Sequence, residues 1–89
     1  MLTSELLIIN KRGLHARAAS KLIGTTSQFQ SQIKLGTGTS LVDAKNIMSV
    51  MMLAAGIGTT LTLQVDGADE QDALAAVTDL FARRFDEDE

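Results

Sequence analysis

The stretch "NKRGLHARAASKL", residues 10 to 22, holds the only histidine of the chain, and Arg17 follows His15 by two positions. An alanine-rich run comes next, so the imidazole lies where a helix should begin. Serine, threonine, aspartate and asparagine are the side chains that normally cap such a start. Histidine is a poor choice for that job, which directs attention to its chemistry. The first N–H groups of a helix lack intrahelical acceptors and make a ready anion site. A guanidinium within one turn matches the oxygens of a phosphate or carboxylate. These parts suit an imidazole that accepts a phosphoryl group, with the new dianion resting against the helix start and Arg17. A neutral imidazole keeps one ring nitrogen free as the nucleophile. Charge–dipole contacts of this kind contribute about 0.3 to 2 kcal/mol, enough to orient the group and too little to trap it.

Other uses of the ring fit less well. A lone loop histidine is more often a surface residue or a hydrogen-bonded spacer. With one histidine and no cysteine there is no recognisable metal-ligand set. Acid–base catalysis would want a carboxylate or serine partner close by, and spacing identifies none.

The elements that must position His15 follow from periodicity. Residues 4 to 9, "SELLII", read as a strand ending at the turn signal Asn10–Gly13. Ala18, Ala19, Leu22 and Ile23 recur at helical spacing between Ala16 and Thr26. Residues 31 to 42 read as a hairpin turning at Gly36-Thr37-Gly38. In residues 43 to 58 a short apolar helix is expected, capped by Asp43 or Asn46 and ended by Gly56. "TTLTLQVD", residues 59 to 66, alternates as a half-buried strand. A last helix opens with acid, closes with Arg83 and Arg84, and carries an apolar stripe from Ala73 to Phe85. The order β-α-β-β-α-β-α predicts an α+β open-faced sandwich: a four-stranded, mostly antiparallel sheet with three helices on one face.

Residues 1–89 suffice for a single domain, with the acidic tail "DEDE" at 86–89. Apolar residues make up 45% and charged residues 21%, the balance of a globular chain. The formal charge of −3 leaves no basic stripe for a nucleic-acid backbone. No apolar run is long enough for membrane insertion, and no signal pattern is seen at the N-terminus. The absence of cysteine is compatible with a reducing cytoplasm, where a monomer is expected.

"GLHARAA" and, about thirty residues on, "DAKNIMSVMMLAAG" together resemble the histidine-containing phosphocarrier (HPr) family of the bacterial phosphoenolpyruvate-dependent phosphotransferase system. The likeness runs end to end in motif order, element order and length. It implies a carrier without an enzyme activity of its own and without a cofactor. Enzyme I would phosphorylate His15 at Nδ1, and an EIIA-type protein would receive the group on a histidine. By the same resemblance, Arg17 would orient the phosphate, and the N–H groups of Ala16 and Arg17 would complete the anion site. Ile47, Met48 and Met51 would form the docking surface for both partners, while Val50 and Leu53 are expected in the core. Methionine adapts well to several partners.

Two positions depart from the family pattern. Ala18 replaces a common proline, which implies a slightly less rigid loop with retained chemistry. Asn46 stands where many members carry a regulatory serine, so phosphorylation at that position is ruled out. The ending "RRFDEDE" and the extra length resemble the nitrogen-related NPr branch rather than the sugar-uptake branch. Two rivals to phosphoryl transfer are an HPr-like module that acts only by docking and a ferredoxin-like domain that binds small molecules.

Overall fold

The computed structural model describes residues 1–89. Four strands, β1 (Leu2–Leu7), β2 (Gln32–Thr37), β3 (Ser40–Asp43) and β4 (Thr60–Asp66), form one sheet in the order β1-β4-β2-β3. Every pairing is antiparallel. Helices α1 (Ala16–Thr26), α2 (Ile47–Met52) and α3 (Glu70–Ala82) supply the second layer. The expected open-faced sandwich is the fold that forms.

Alternation explains why one face is covered and the other is not. Leu61, Leu63 and Val65 of β4 point inward and are fully buried, with Ile33 and Leu35 of β2 beside them. The intervening Thr60, Thr62, Gln64 and Asp66 face the open side. Onto the inner face pack Ala18, Ala19 and Leu22 of α1, Val50 of α2, and Ala73, Val77, Leu80 and Phe81 of α3. Burying a leucine or valine side chain contributes about 1.5–3 kcal/mol, so this aliphatic core needs no disulfide. No helix is long and apolar enough to cross a membrane.

Several boundaries differ from the sequence expectation, each for a local reason. β1 starts at Leu2 and ends at Leu7, because Leu2 and Thr3 find partners in Val65 and Gln64. The hairpin turns at Gly38-Thr39 rather than around Gly36: Thr37 pairs with Ser40, and Gly38 takes φ 57. Gly36 lies in the ladder opposite Leu41 and Thr62. α2 is only Ile47–Met52, and Ala54, with φ 51, turns the chain two residues before Gly56. α3 stops at Ala82, so Phe85 is not on its stripe. A short 3-10 turn, Arg84–Asp86, follows instead, with φ values of 56, 54 and 63. This left-handed turn still drives Phe85 into the core, 1% exposed, with its ring 4.9 Å from that of Phe81. Left-handed backbone costs an L-residue about 1–2 kcal/mol, and the burial of Phe85 offsets part of it.

Candidate functional site

His15 is held by a loop pinned from two directions. Asn10, fully buried, donates from Nδ2 to the Gly13 carbonyl at 2.9 Å, and the Gly13 N–H returns to the Asn10 carbonyl at 3.2 Å. Gly13 takes φ 66, and a Cβ there would sit 2.5 Å from the Ala55 oxygen and 2.7 Å from Gly56 Cα. Only glycine permits that approach. Leu14 then donates to the same Ala55 oxygen at 2.9 Å and buries its side chain. The loop carrying His15 is thereby stitched to the segment that leaves α2.

His15 is the N-cap residue of α1, with φ −74 and ψ 175. Its carbonyl accepts from the Ala19 N–H at 2.8 Å, but its side chain makes no cap bond. The N–H groups of Ala16, Arg17 and Ala18 meet no protein acceptor. An unbonded N–H at Ala18 means that no backbone bond at this position depends on its hydrogen. Arg17 is exposed, and no carboxylate pairs with its guanidinium. It borders a cleft of about 670 Å³ together with Lys11, Arg12, Lys21 and the four tail acids 86–89.

The imidazole itself is not free. Its Nε2 contacts a carboxylate oxygen of Glu87, and the other oxygen of Glu87 accepts from Asn10 Nδ2 at 3.0 Å. Nδ1 bonds to no protein group. Partial burial works against the charged form of Glu87. The hydrogen bonds from Asn10 and His15 and the nearby charges of His15 and Arg12 outweigh it, holding the carboxyl below the usual carboxylate range. The tail is tied at further points: the Lys11 N–H donates to the Glu89 carbonyl at 2.8 Å, and Lys11 Nζ lies 3.2 Å from its side chain. Lys21 donates to the Phe85 carbonyl at 2.9 Å.

Glu87 and Asn10 are the residues that sequence reasoning missed. Glu87 lies 72 positions from His15, beyond any local spacing rule, and reaches it only through the left-handed turn. The carboxylate partner that spacing did not identify is therefore present.

The second motif is placed beside this loop by the Leu14–Ala55 bond. Asn46 caps α2, its side-chain oxygen accepting from the Ser49 N–H at 3.1 Å. Ile47, Met48 and Met51 are 37%, 65% and 39% exposed, whereas Val50 is buried and Leu53 packs partly against the core. Met52 of the same helix and Ile57 after it are also exposed apolar side chains, which the sequence did not single out.

Comparison with known proteins agrees with this arrangement. A family model described as the PTS HPr component phosphorylation site matches residues 2–83. The phosphocarrier protein HPr of Cupriavidus necator is 55% identical over the full length of both chains. That of Xylella fastidiosa is 51% identical over 99% of each. The crystal structure of HPr-C-His from Thermoanaerobacter tengcongensis superposes with a TM-score of 0.95 at 38% identity, covering all of both chains. With the histidine motif, the sheet order and these matches in agreement, the chain belongs to the HPr family of phosphocarrier proteins of the phosphotransferase system.

Proposed function

We propose that this chain is a working phosphocarrier that accepts a phosphoryl group on Nδ1 of His15 from enzyme I and passes it to a histidine of an EIIA-type protein. The observation that carries this reading is the unused helix start. His15 is the N-cap residue of α1, its Nδ1 makes no bond, and the N–H groups of Ala16, Arg17 and Ala18 in the first turn are also unbonded. A phosphoryl dianion there gains backbone donors, the helix dipole and the unpaired guanidinium of Arg17. On this reading the transfer chemistry is assembled jointly with each partner.

Ile47, Met48 and Met51 supply an exposed apolar surface joined to the His15 loop, and both partners dock there in turn. A carrier must release each partner, which favours a small interface of modest affinity. Both exchanges take place in the cytoplasm with the carrier as a monomer. The extra length that resembles the NPr branch is shared by the Cupriavidus protein named HPr, so it does not favour that branch.

The test is to mix the purified chain with phosphoenolpyruvate and enzyme I of either branch and weigh it intact under neutral conditions. One added phosphoryl group, lost in acid and absent in His15→Ala, is the expected result. The faster enzyme I identifies the branch. Arg17→Ala should still accept the group, more slowly. No mass gain with either enzyme would leave a docking module in its place.

A further inference from the structure

We infer that Glu87 is a positioning residue for the reactive histidine, its carboxylate holding the Nε2–H of His15 so that Nδ1 is the nitrogen presented for phosphorylation. This inference rests on the phosphocarrier reading above and adds to it the acidic tail as a working part.

The geometry first fixes the tautomer. A carboxylate can only accept, so the ring nitrogen facing Glu87 must carry the hydrogen, which leaves the lone pair on Nδ1. Asn10 sets the carboxylate in turn. It is fully buried, gives one Nδ2 hydrogen to the Gly13 carbonyl and the other to Glu87 Oε1 at 3.0 Å. The series Asn10, Glu87, His15 thus runs from an immobile amide to the reactive ring, as an orienting group serves an activated nucleophile elsewhere.

The tail is built to hold this place. Phe85 is buried two residues before Glu87, and the turn that buries it has three residues in left-handed backbone. Lys21 holds the Phe85 carbonyl on one side of Glu87, and the Lys11 N–H holds the Glu89 carbonyl on the other. The side chains of His15 and Glu87 are only 16% and 17% exposed. A solvated, wandering tail would give none of these.

The charge has a use during transfer. The Nδ1 lone pair forms a bond to phosphorus while the bond from phosphorus to its donor atom on enzyme I breaks, the electron pair of that bond staying on the donor atom. No proton leaves His15. The ring then bears both Nε2–H and Nδ1-phosphoryl and carries a positive charge, which Glu87 balances from the side opposite the phosphoryl group. Onward delivery reverses the same bonds and returns the neutral ring.

The test compares the full-length protein with Glu87→Ala and Glu87→Gln. One readout is the nitrogen-15 NMR signature of His15 in its neutral form, and the other is the rate of phosphorylation by enzyme I. The unaltered protein should show essentially the Nε2–H tautomer. Glu87→Ala should give a mixture of tautomers and accept phosphoryl about tenfold more slowly, the lower end of the loss seen when the carboxylate that orients a metal-bound histidine is removed. Glu87→Gln should fall between, because Asn10 and His15 face different carboxylate oxygens and an amide keeps an acceptor oxygen at only one of those two places. An unchanged tautomer in Glu87→Ala would overturn the inference. So would an equal or faster rate, which would make the tail a cover over the site. The tautomer needs no enzyme I, so failure of the unaltered protein to be phosphorylated counts against the carrier reading alone.

Discussion

The two ends of the sheet use the same parts for different ends. At the end where β4 leaves the sheet, Gly67 passes so close to Ser31 that a Cβ would lie 2.7 Å from its Cα. Beside it, the Asp69 carboxylate gathers the Gln30 N–H at 2.8 Å, the Ser31 N–H at 2.9 Å and the Ser31 hydroxyl. At the opposite end Gly13 passes equally close to Ala55 and Gly56, and the Glu87 carboxylate gathers Asn10 and His15. Asp69 binds mainly backbone, which has nothing further to do. Glu87 binds a titratable ring whose other nitrogen is unbonded. A carboxylate spent on main-chain donors ties two segments together, and one spent on an imidazole sets the state of a nucleophile.

The largest effects should come from the glycines. Either Gly13→Ala or Gly67→Ala forces a Cβ into neighbouring backbone, and at Gly13 the left-handed φ alone costs about 1–2 kcal/mol. Urea unfolding should therefore show a loss of about 2 kcal/mol or more for Gly13→Ala, with a clear loss for Gly67→Ala as well. Phosphoryl acceptance per folded molecule should fall only in Gly13→Ala, since that residue places His15. An equal fall in Gly67→Ala would erase the distinction between the ends.

Next in size is the carboxylate pair. Asp69→Ala should lower the thermal midpoint by several degrees and leave the rate of phosphorylation unchanged. Glu87→Ala should do the reverse, moving the midpoint little because the tail covers few core residues. Calorimetry and the enzyme I assay on the same samples decide it.

A pH series sharpens this further. The Asp69 carboxyl is held below its ordinary value by the Ser31 hydroxyl and the Gln30 and Ser31 N–H groups, against the effect of partial burial. Its contribution is present in full above the unfolded value of about 3.9 and is lost as pH falls through the lower folded value. Asp69→Asn should therefore flatten the acid side of the stability curve, as followed by unfolding at successive pH values. A variant as steep as the parent in acid would remove Asp69 as a clamp.

The contrast between the ends also explains what could be read in the sequence. The extent of α1, the core face of β4 and the order of elements were legible, because periods of 3.6 and 2 are local. The placement of His15 at the start of α1, with Arg17 in its first turn, was legible because an odd cap beside a cation is also local. The turn at Gly38-Thr39 was misplaced because Gly36 and Gly38 carry the same signal in sequence, and only pairing separates them. Glu87 was not legible at all. Its role depends on a left-handed turn through Arg84, Phe85 and Asp86, residue types that give no sequence sign of such backbone.

The smallest expected effect separates stability from site geometry. Gly24 lies on the exposed side of α1, and a Cβ there meets nothing within 4 Å. Its φ is helical, so alanine keeps the backbone and removes the entropy that glycine loses on folding. Gly24→Ala should stabilise the protein by about 0.5–1 kcal/mol, read as a higher urea midpoint with an unchanged slope. His15 is the N-cap of α1, so a general stiffening of this helix is the natural competitor to Glu87 as the feature that holds the ring. If rate follows helix stability, Gly24→Ala speeds phosphorylation, and the tail becomes incidental. If rate follows the carboxylate, Gly24→Ala leaves it unchanged while Glu87→Ala slows it, even in the stabilised background.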